Sequence, residues 1–232
     1  MIHPADQPAY QHFLSQLKSG QESQPCTAEF RASNARGEWR WLTCQGQVFQ
    51  HNQPREALLS AEDVTENHRI REHLRYLSMH DALTGLYNRA YFQEALEHVR
   101  RASQFPTALI MIDVDNLKQV NDTYGHEAGD ALLCEIAGLL MDNFRAGDTV
   151  ARVGGDEFTA LLPQVNQADA REIVRRLQAR FATAVSAAGL SLDVVSIGLS
   201  VARDESEFME AYRQADRRMY ADKQRRKAIS EQ

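Results

Sequence analysis

Two glycines and two acids, Gly154, Gly155, Asp156 and Glu157, interrupt a stretch that otherwise reads as strand, with TVARV before them and FTALLP after. A strand interior gains nothing from paired glycines or adjacent acids, so the four residues read as a tight hairpin turn that also lets a ligand approach the backbone. Upstream, the apolar run TALIMIDVD carries a further acid, Asp113. If the strands bearing these acids are neighbours, three carboxylates converge, and each raises the pKa of the next unless a cation offsets them. Mg²⁺ prefers hard oxygen ligands with room left for water and phosphate. Asp113, the backbone carbonyl of Val114 and Asp156 can supply them. Taken alone, GGDE is also what an ordinary surface hairpin looks like.

The elements that must position these acids follow from periodicity. A helix over NRAYFQEALEHVRRAS leads to the strand TALIMIDVD. A helix over EAGDALLCEIAGLLMDNF keeps Leu132, Leu133, Ile136, Leu139 and Leu140 at helical spacing. Two short strands flank the glycine pair, a helix over QADAREIVRRLQARFATAV precedes the strand LDVVSIGLSV, and a helix from about 207 to 227 closes the chain. The order β-α-β-β-α-β is a split βαβ arrangement, an α+β sheet with helices on one face, in which the first and third strands lie side by side. That adjacency brings Asp113 toward the hairpin.

The first sixty residues read differently. AYQHFLSQLKSG forms one helix with Tyr10, Phe13, Leu14 and Leu17 on one face and Gly20 as a stop. TAEFRAS and EWRWLTCQG alternate across NARG as a hairpin, and REALLSAEDVT offers a further strand, giving a small antiparallel sheet. From Thr65, a candidate cap, a charged helix places Ile70, Leu74 and Leu77 at i, i+4 and i+7. So narrow a seam suits either packing on its own domain or a parallel dimer. The expected divisions are a module over 1–62, a linker helix over 63–77 and a catalytic domain over 78–232.

Composition excludes several classes. With 232 residues, 43% of them hydrophobic, the chain can bury a real core. A formal net charge of −6 argues against a protein that lives on nucleic-acid phosphates or an anionic membrane surface. Cys26, Cys44 and Cys134 have no metal-type spacing and cannot all pair, which fits a reducing compartment. No apolar run approaches a membrane span and the N-terminus does not read as a signal peptide, so the expectation is a cytoplasmic protein.

Five blocks in order and register, DALTGLYNRAYF, LIMIDVDNLKQVNDTYGHEAGDALL, ARVGGDEF, SIGLS and ADRRMYADK, resemble the diguanylate cyclases, the GGDEF family. The resemblance implies a palm-like fold, a homodimer, and a nucleotidyltransferase that joins two GTP into cyclic di-GMP with release of two pyrophosphates. It implies Mg²⁺, or Mn²⁺, on Asp113, the Val114 carbonyl, Asp156 and Glu157, with Asp156 or Glu157 as the base. Asn121 and Asp130 resemble the guanine-reading pair. Lys118, Lys223, Lys227, the Asn116 and Leu117 amides and the turn of Gly154 and Gly155 are implied around the substrate phosphates. Leu117 stands where the family usually has Phe, and KQRRK lacks the family's usual glycine. His126 matches the family, but a lone histidine more often bonds structurally than catalyses.

Arg145 and Asp148, in RAGD, match the family's R-x-x-D product-inhibition site, and Arg176 is a candidate third member. A guanidinium can bind the Hoogsteen edge of guanine and phosphate, while a carboxylate takes the Watson–Crick edge; any R-x-x-D can also be a plain surface ion pair. The N-terminal blocks resemble the second half of a PAS domain, ending in SAEDVTE. The half that would close a cofactor pocket lies outside the resemblance, so no haem or flavin is expected. The competing reading is a non-catalytic protein that senses cyclic di-GMP through the RAGD site.

Overall fold

The computed structural model describes residues 1–19, 25–49, 56–184, 191–192 and 194–230; Gly20, Arg55, Val185 and Asp193 of the expected elements lie outside them. The chain divides into two compact units, Met1–Tyr76 and Leu77–Gln232.

In the first unit a short 3₁₀ turn, Pro4–Asp6, leads into helix α1, Gln7–Ser19. Strands β1 (Cys26–Ser33), β2 (Trp39–Phe49) and β3 (Glu56–Asp63) form an antiparallel sheet in the order β1-β2-β3. Among the described residues of this unit, Phe13 of α1 and Phe30 of β1 are the buried apolar side chains. Asp6 accepts from the Arg31 backbone N–H at 3.0 Å and from its guanidinium at 2.7 and 2.9 Å, tying the N-terminus to β1. Helix α2, Thr65–Met79, follows. The Thr65 hydroxyl does not cap this helix: it accepts from the Trp41 N–H of β2 at 2.8 Å, while Asp63 accepts from the Thr65 N–H at 2.9 Å. Ile70, Leu74 and Leu77 are 48%, 59% and 47% exposed, so the seam of α2 is not buried within the chain.

The second unit is a five-stranded sheet ordered β4-β6-β7-β5-β8. Its strands are β4 (Tyr87–Asn88), β5 (Thr107–Val114), β6 (Thr149–Arg152), β7 (Glu157–Pro163) and β8 (Val195–Ala202). The helices are α3 (Arg89–Arg101), α4 (Leu117–Tyr124), α5 (His126–Met141), α6 (Gln167–Thr183) and α7 (Glu205–Ser230). Strand β5 sits between β7 and β8, antiparallel to both, so the first and third strands of the split βαβ unit are neighbours. Helices cover both faces, not one. Ala108, Ile110, Ile112 and Val114 pack with Leu132, Ile136 and Leu140 of α5 and Leu177 and Phe181 of α6. Leu109 and Met111 pack with Phe92 and Val99 of α3 and Phe208, Ala215 and Met219 of α7. Every residue of β5 is therefore buried, which is why its sequence is continuously apolar rather than alternating.

Two elements escape the periodicity reading. Helix α4 is eight residues rich in Asn, Asp and Thr, poor helix formers, and it is bounded by Asn116 in the left-handed region and by Gly125. Strand β4 is two residues long and pairs parallel with β6.

Candidate active site

The register of β5 with β7 sets Asp113 opposite Glu157, and the Val114 N–H donates to the Asp156 carbonyl at 2.9 Å. The sheet thus delivers the acids to one end. Asp113 is 7% exposed and accepts from Lys223 Nζ of α7 at 2.5 Å. Burial raises the Asp113 pKa; the Lys223 ammonium works against that rise and the Asp156 charge adds to it. Burial acts to lower Lys223, but the hydrogen bond and charge of Asp113, with Asp156 and Asp115, outweigh it and raise its pKa. Asp115, raised by burial, accepts from the buried Ser196 hydroxyl of β8 at 2.8 Å. Asp113, Glu157, Lys223 and Lys227 line one cleft of about 770 Å³.

Glu157 departs from the expected cluster of three carboxylates: its side chain folds back over Gly154, where an added Cβ would clash with it. Among the described residues no three His, Cys, Asp or Glu side chains group closely enough to hold a metal by themselves. What faces the buried carboxylate is an ammonium, with Asp156 as the near like charge.

On the loop and helices beyond β5, Asn116 takes φ 57°, turning the chain into α4, and Leu117 packs on the core. Lys118 and Asp130 are exposed, on α4 and α5. The side-chain oxygen of Asn121 is buried with no hydrogen-bond partner, and it lies where a Cβ on Gly129 would have to be. An unpaired buried acceptor costs about 1–3 kcal/mol, so this one stands ready for a donor. Gly129 thus leaves room for the Asn121 side chain, a role invisible in sequence because it depends on α4 lying against α5. His126 opens α5 and is exposed.

The turn itself needs a correction. Gly154 and Gly155 do not adopt positive φ, so the turn does not demand glycine conformationally. Beside Gly155 the space is open, and an added Cβ would meet nothing. The turn is held instead by Arg152, which sequence reasoning passed over as a strand residue. Its guanidinium donates to the Gly155 carbonyl at 2.7 and 3.3 Å and to Asp81 Oδ1 at 3.1 Å. Asp81 in turn accepts from the Thr84 N–H and hydroxyl. Burial acts to raise Asp81, but these donors and Arg152 prevail and lower its pKa.

Arg145 and Asp148 are paired with each other. The Arg145 N–H and Nε donate to the Asp148 carboxylate, each at 3.1 Å, and Nη2 reaches the Pro163 carbonyl at 2.8 Å. The guanidinium is 61% exposed and the carboxylate 4% exposed. Arg176 of α6 bonds neither of them; it donates to the side chain and backbone of Asn143, two residues before Arg145.

Comparison with known proteins agrees with this architecture. Residues 78–228 match the family profile described as diguanylate cyclase, GGDEF domain, and residues 1–59 match the PAS fold. The probable diguanylate cyclase DgcE of Escherichia coli is 44% identical over 124 residues, covering 52% of this chain and 11% of that protein. Diguanylate cyclase DgcM of the same organism is 36% identical over 168 residues, covering 70% of this chain and 40% of that protein. The chain therefore spans well under half of either relative. The crystal structure of diguanylate cyclase SiaD in complex with its activator SiaC, from Pseudomonas aeruginosa, superposes with a TM-score of 0.59 at 34% identity, covering 68% of this chain and 63% of that one. No helix among the described residues is long and apolar enough to cross a membrane, and Cys26, Cys44 and Cys134 are free thiols. With a matched profile over more than half its length and a sheet that brings Asp113 to the GGDEF turn, the chain belongs to the GGDEF-domain diguanylate cyclase family.

Proposed function

We propose that this chain condenses two GTP molecules into cyclic di-GMP, releasing two pyrophosphates, at the interface of a homodimer. The observation that carries the reading is the cleft lined by the buried Asp113 together with Glu157, Lys223 and Lys227. Lys223 and Lys227 hold the substrate phosphates, and the Asn116 and Leu117 amides at the left-handed entry to α4 assist them. Lys118 stands on the first turn of α4 as a further phosphate contact. Asp130 accepts from N1–H and the N2 amine of guanine, and the unpaired Asn121 oxygen takes a further donor, so adenine leaves acceptors unsatisfied. Asp156 or Glu157 takes the proton of the 3′-hydroxyl as its oxygen bonds to the α-phosphorus of the facing GTP and the bond to pyrophosphate breaks.

The donor set fits Mg²⁺ or Mn²⁺: Asp113, the Val114 carbonyl and Asp156 are hard oxygens at one sheet end, Glu157 is adjacent, and the Asp113 carboxylate is crowded by a like charge. Bound there, the ion neutralises triphosphate charge and acidifies the attacking hydroxyl. Lys223 must then share or leave Asp113 for phosphate.

One domain holds one GTP, so two must face each other, and the exposed seam of Ile70, Leu74 and Leu77 supports dimerisation through the linker over 63–77. That linker joins the PAS-like module over 1–62 to the catalytic domain over 78–232. Cyclic di-GMP inhibits by drawing Arg145 off Asp148 and engaging both, with Arg176 reached by release from Asn143. A cytoplasmic location is part of this reading, supported by the free thiols and in keeping with a GTP substrate.

The test is incubation with GTP and Mg²⁺, with chromatography for cyclic di-GMP and with ATP and Asp156→Ala as controls. Product from GTP alone, lost in the variant, is expected. Absence of product at every protein concentration, with cyclic di-GMP still bound, would instead make the chain a sensor.

A further inference from the structure

We propose that Asp222, which neither the motif nor the charge pattern singles out, is the positioning residue that sets Lys223 over Asp113. The proposal rests on the reading of Lys223 as a phosphate-binding residue. Strand β8 is an edge of the sheet, and α7 runs along it. Three contacts fix the helix there. At Gly198 the strand backbone lies so close to α7 that a Cβ would overlap the Ala215 carbonyl and the Met219 N–H. Arg218 Nη1 donates to the Leu199 carbonyl at 2.5 Å. The Asp222 carboxylate, buried on the helix, accepts from the Ile197 N–H at 3.1 Å.

Asp222 and Arg218 stand one helical turn apart, so together they fix the height and the rotation of α7 on β8. Asp222 is the last of these anchors, and the next residue is Lys223. Across the sheet, Ile197 pairs with Ile112 and Ser196 with Asp113, so the strand segment gripped by Asp222 is the one beside the carboxylate that Lys223 bonds. An error of an ångström at such a site is enough to cost a large factor in rate or affinity. The charge of Asp222 does not compete for Lys223, because Arg225 bonds its Oδ1 and Arg226 Nε stands 3.7 Å from Oδ2. The ammonium therefore remains available to Asp113 and to phosphate.

The test is binding of the α,β-methylene analogue of GTP, measured by calorimetry in the presence of Mg²⁺, together with thermal unfolding. Asp222→Ala is expected to weaken the analogue about tenfold, as tilting a charged hydrogen-bond partner away from phosphate does. Asp222→Asn keeps an acceptor for the Ile197 N–H and is expected to bind within about twofold of the unaltered chain, since the hydrogen bond and not the charge sets the position. Asp222→Gln keeps an acceptor but moves it one methylene outward. It is expected to weaken binding even where the Tm is unchanged, which keeps the question answerable if the alanine variant does not fold. Analogue binding unmoved in a folded Asp222→Ala or in Asp222→Gln, or Asp222→Asn as weak as Asp222→Ala, would overturn the proposal. Binding is read apart from turnover, so an unaltered chain that binds the analogue yet makes no cyclic di-GMP counts against the cyclase and not against this role.

Discussion

Asp6 and Asp113 are both carboxylates bonded to a single basic side chain, at 2.7 Å from Arg31 and 2.5 Å from Lys223, yet their acidities move in opposite directions. Asp6 is held at about 2, chiefly by the Arg31 hydrogen bond. It receives the guanidinium on both oxygens and a backbone N–H besides. Asp113 receives one ammonium bond among the described residues, and burial with the nearby Asp156 charge leaves its pKa raised. The first carboxylate is satisfied; the second is short of positive charge. A structural ion pair closes on itself, whereas a buried carboxylate left in deficit in the lining of a cleft is in keeping with the metal and phosphate site proposed above.

The contrast can be tested at three strengths. Asp113→Asn should remove the deficit and with it several kcal/mol of charge stabilisation, a drop on the order of a thousandfold in GTP turnover; chromatographic assay of cyclic di-GMP checks this, and a mild loss would mean the acid is structural like Asp6. Arg145→Ala tests a further pair, one whose carboxylate is buried and whose guanidinium is exposed. It should leave turnover without product within about threefold, since the pair stands outside the cleft, yet raise the concentration of cyclic di-GMP needed for half inhibition by about tenfold or more. An unchanged inhibition curve would make Arg145–Asp148 another closed pair. The smallest effect is expected from Asp6→Asn. A carboxylate whose folded pKa lies below its unfolded value of 3.8 stabilises the fold above that value and loses the contribution as pH falls toward about 2. Trp39 and Trp41, the chain's two tryptophans, both lie in the N-terminal unit. Their fluorescence should show the unaltered protein's acid transition between pH 4 and 2 blunted in the variant, with cyclic di-GMP synthesis at neutral pH unaffected.

Much of this was legible in the sequence because it rests on local chemistry. The acids, the strand that carries Asp113 and the hairpin that carries Asp156 follow from residue type and period, and the neighbouring of β5 and β7 follows from element order. What escaped depends on contacts across elements. Arg152 looks like any polar strand residue until its reach to Gly155 and Asp81 is seen. Gly129 matters because α4 lies against α5, and α4 itself was hidden by Asn, Asp and Thr. The helices on the second face were foreshadowed by the unbroken apolar run of β5, a signal of two-sided burial read only as strand. Asp222 was lost in the charge of a basic helix.

The grip of α7 on β8 also bears on how copies of this domain can meet. A sheet edge with open N–H and C=O groups is a template on which another strand can add. Here the Ile197 N–H and Leu199 carbonyl are already taken by side chains of α7, and the opposite edge is a strand of two residues. Joining two such sheets into one continuous ladder is therefore disfavoured at both borders. Association of two such domains is left to loops and helix faces, whose contacts can form and part without remaking a sheet.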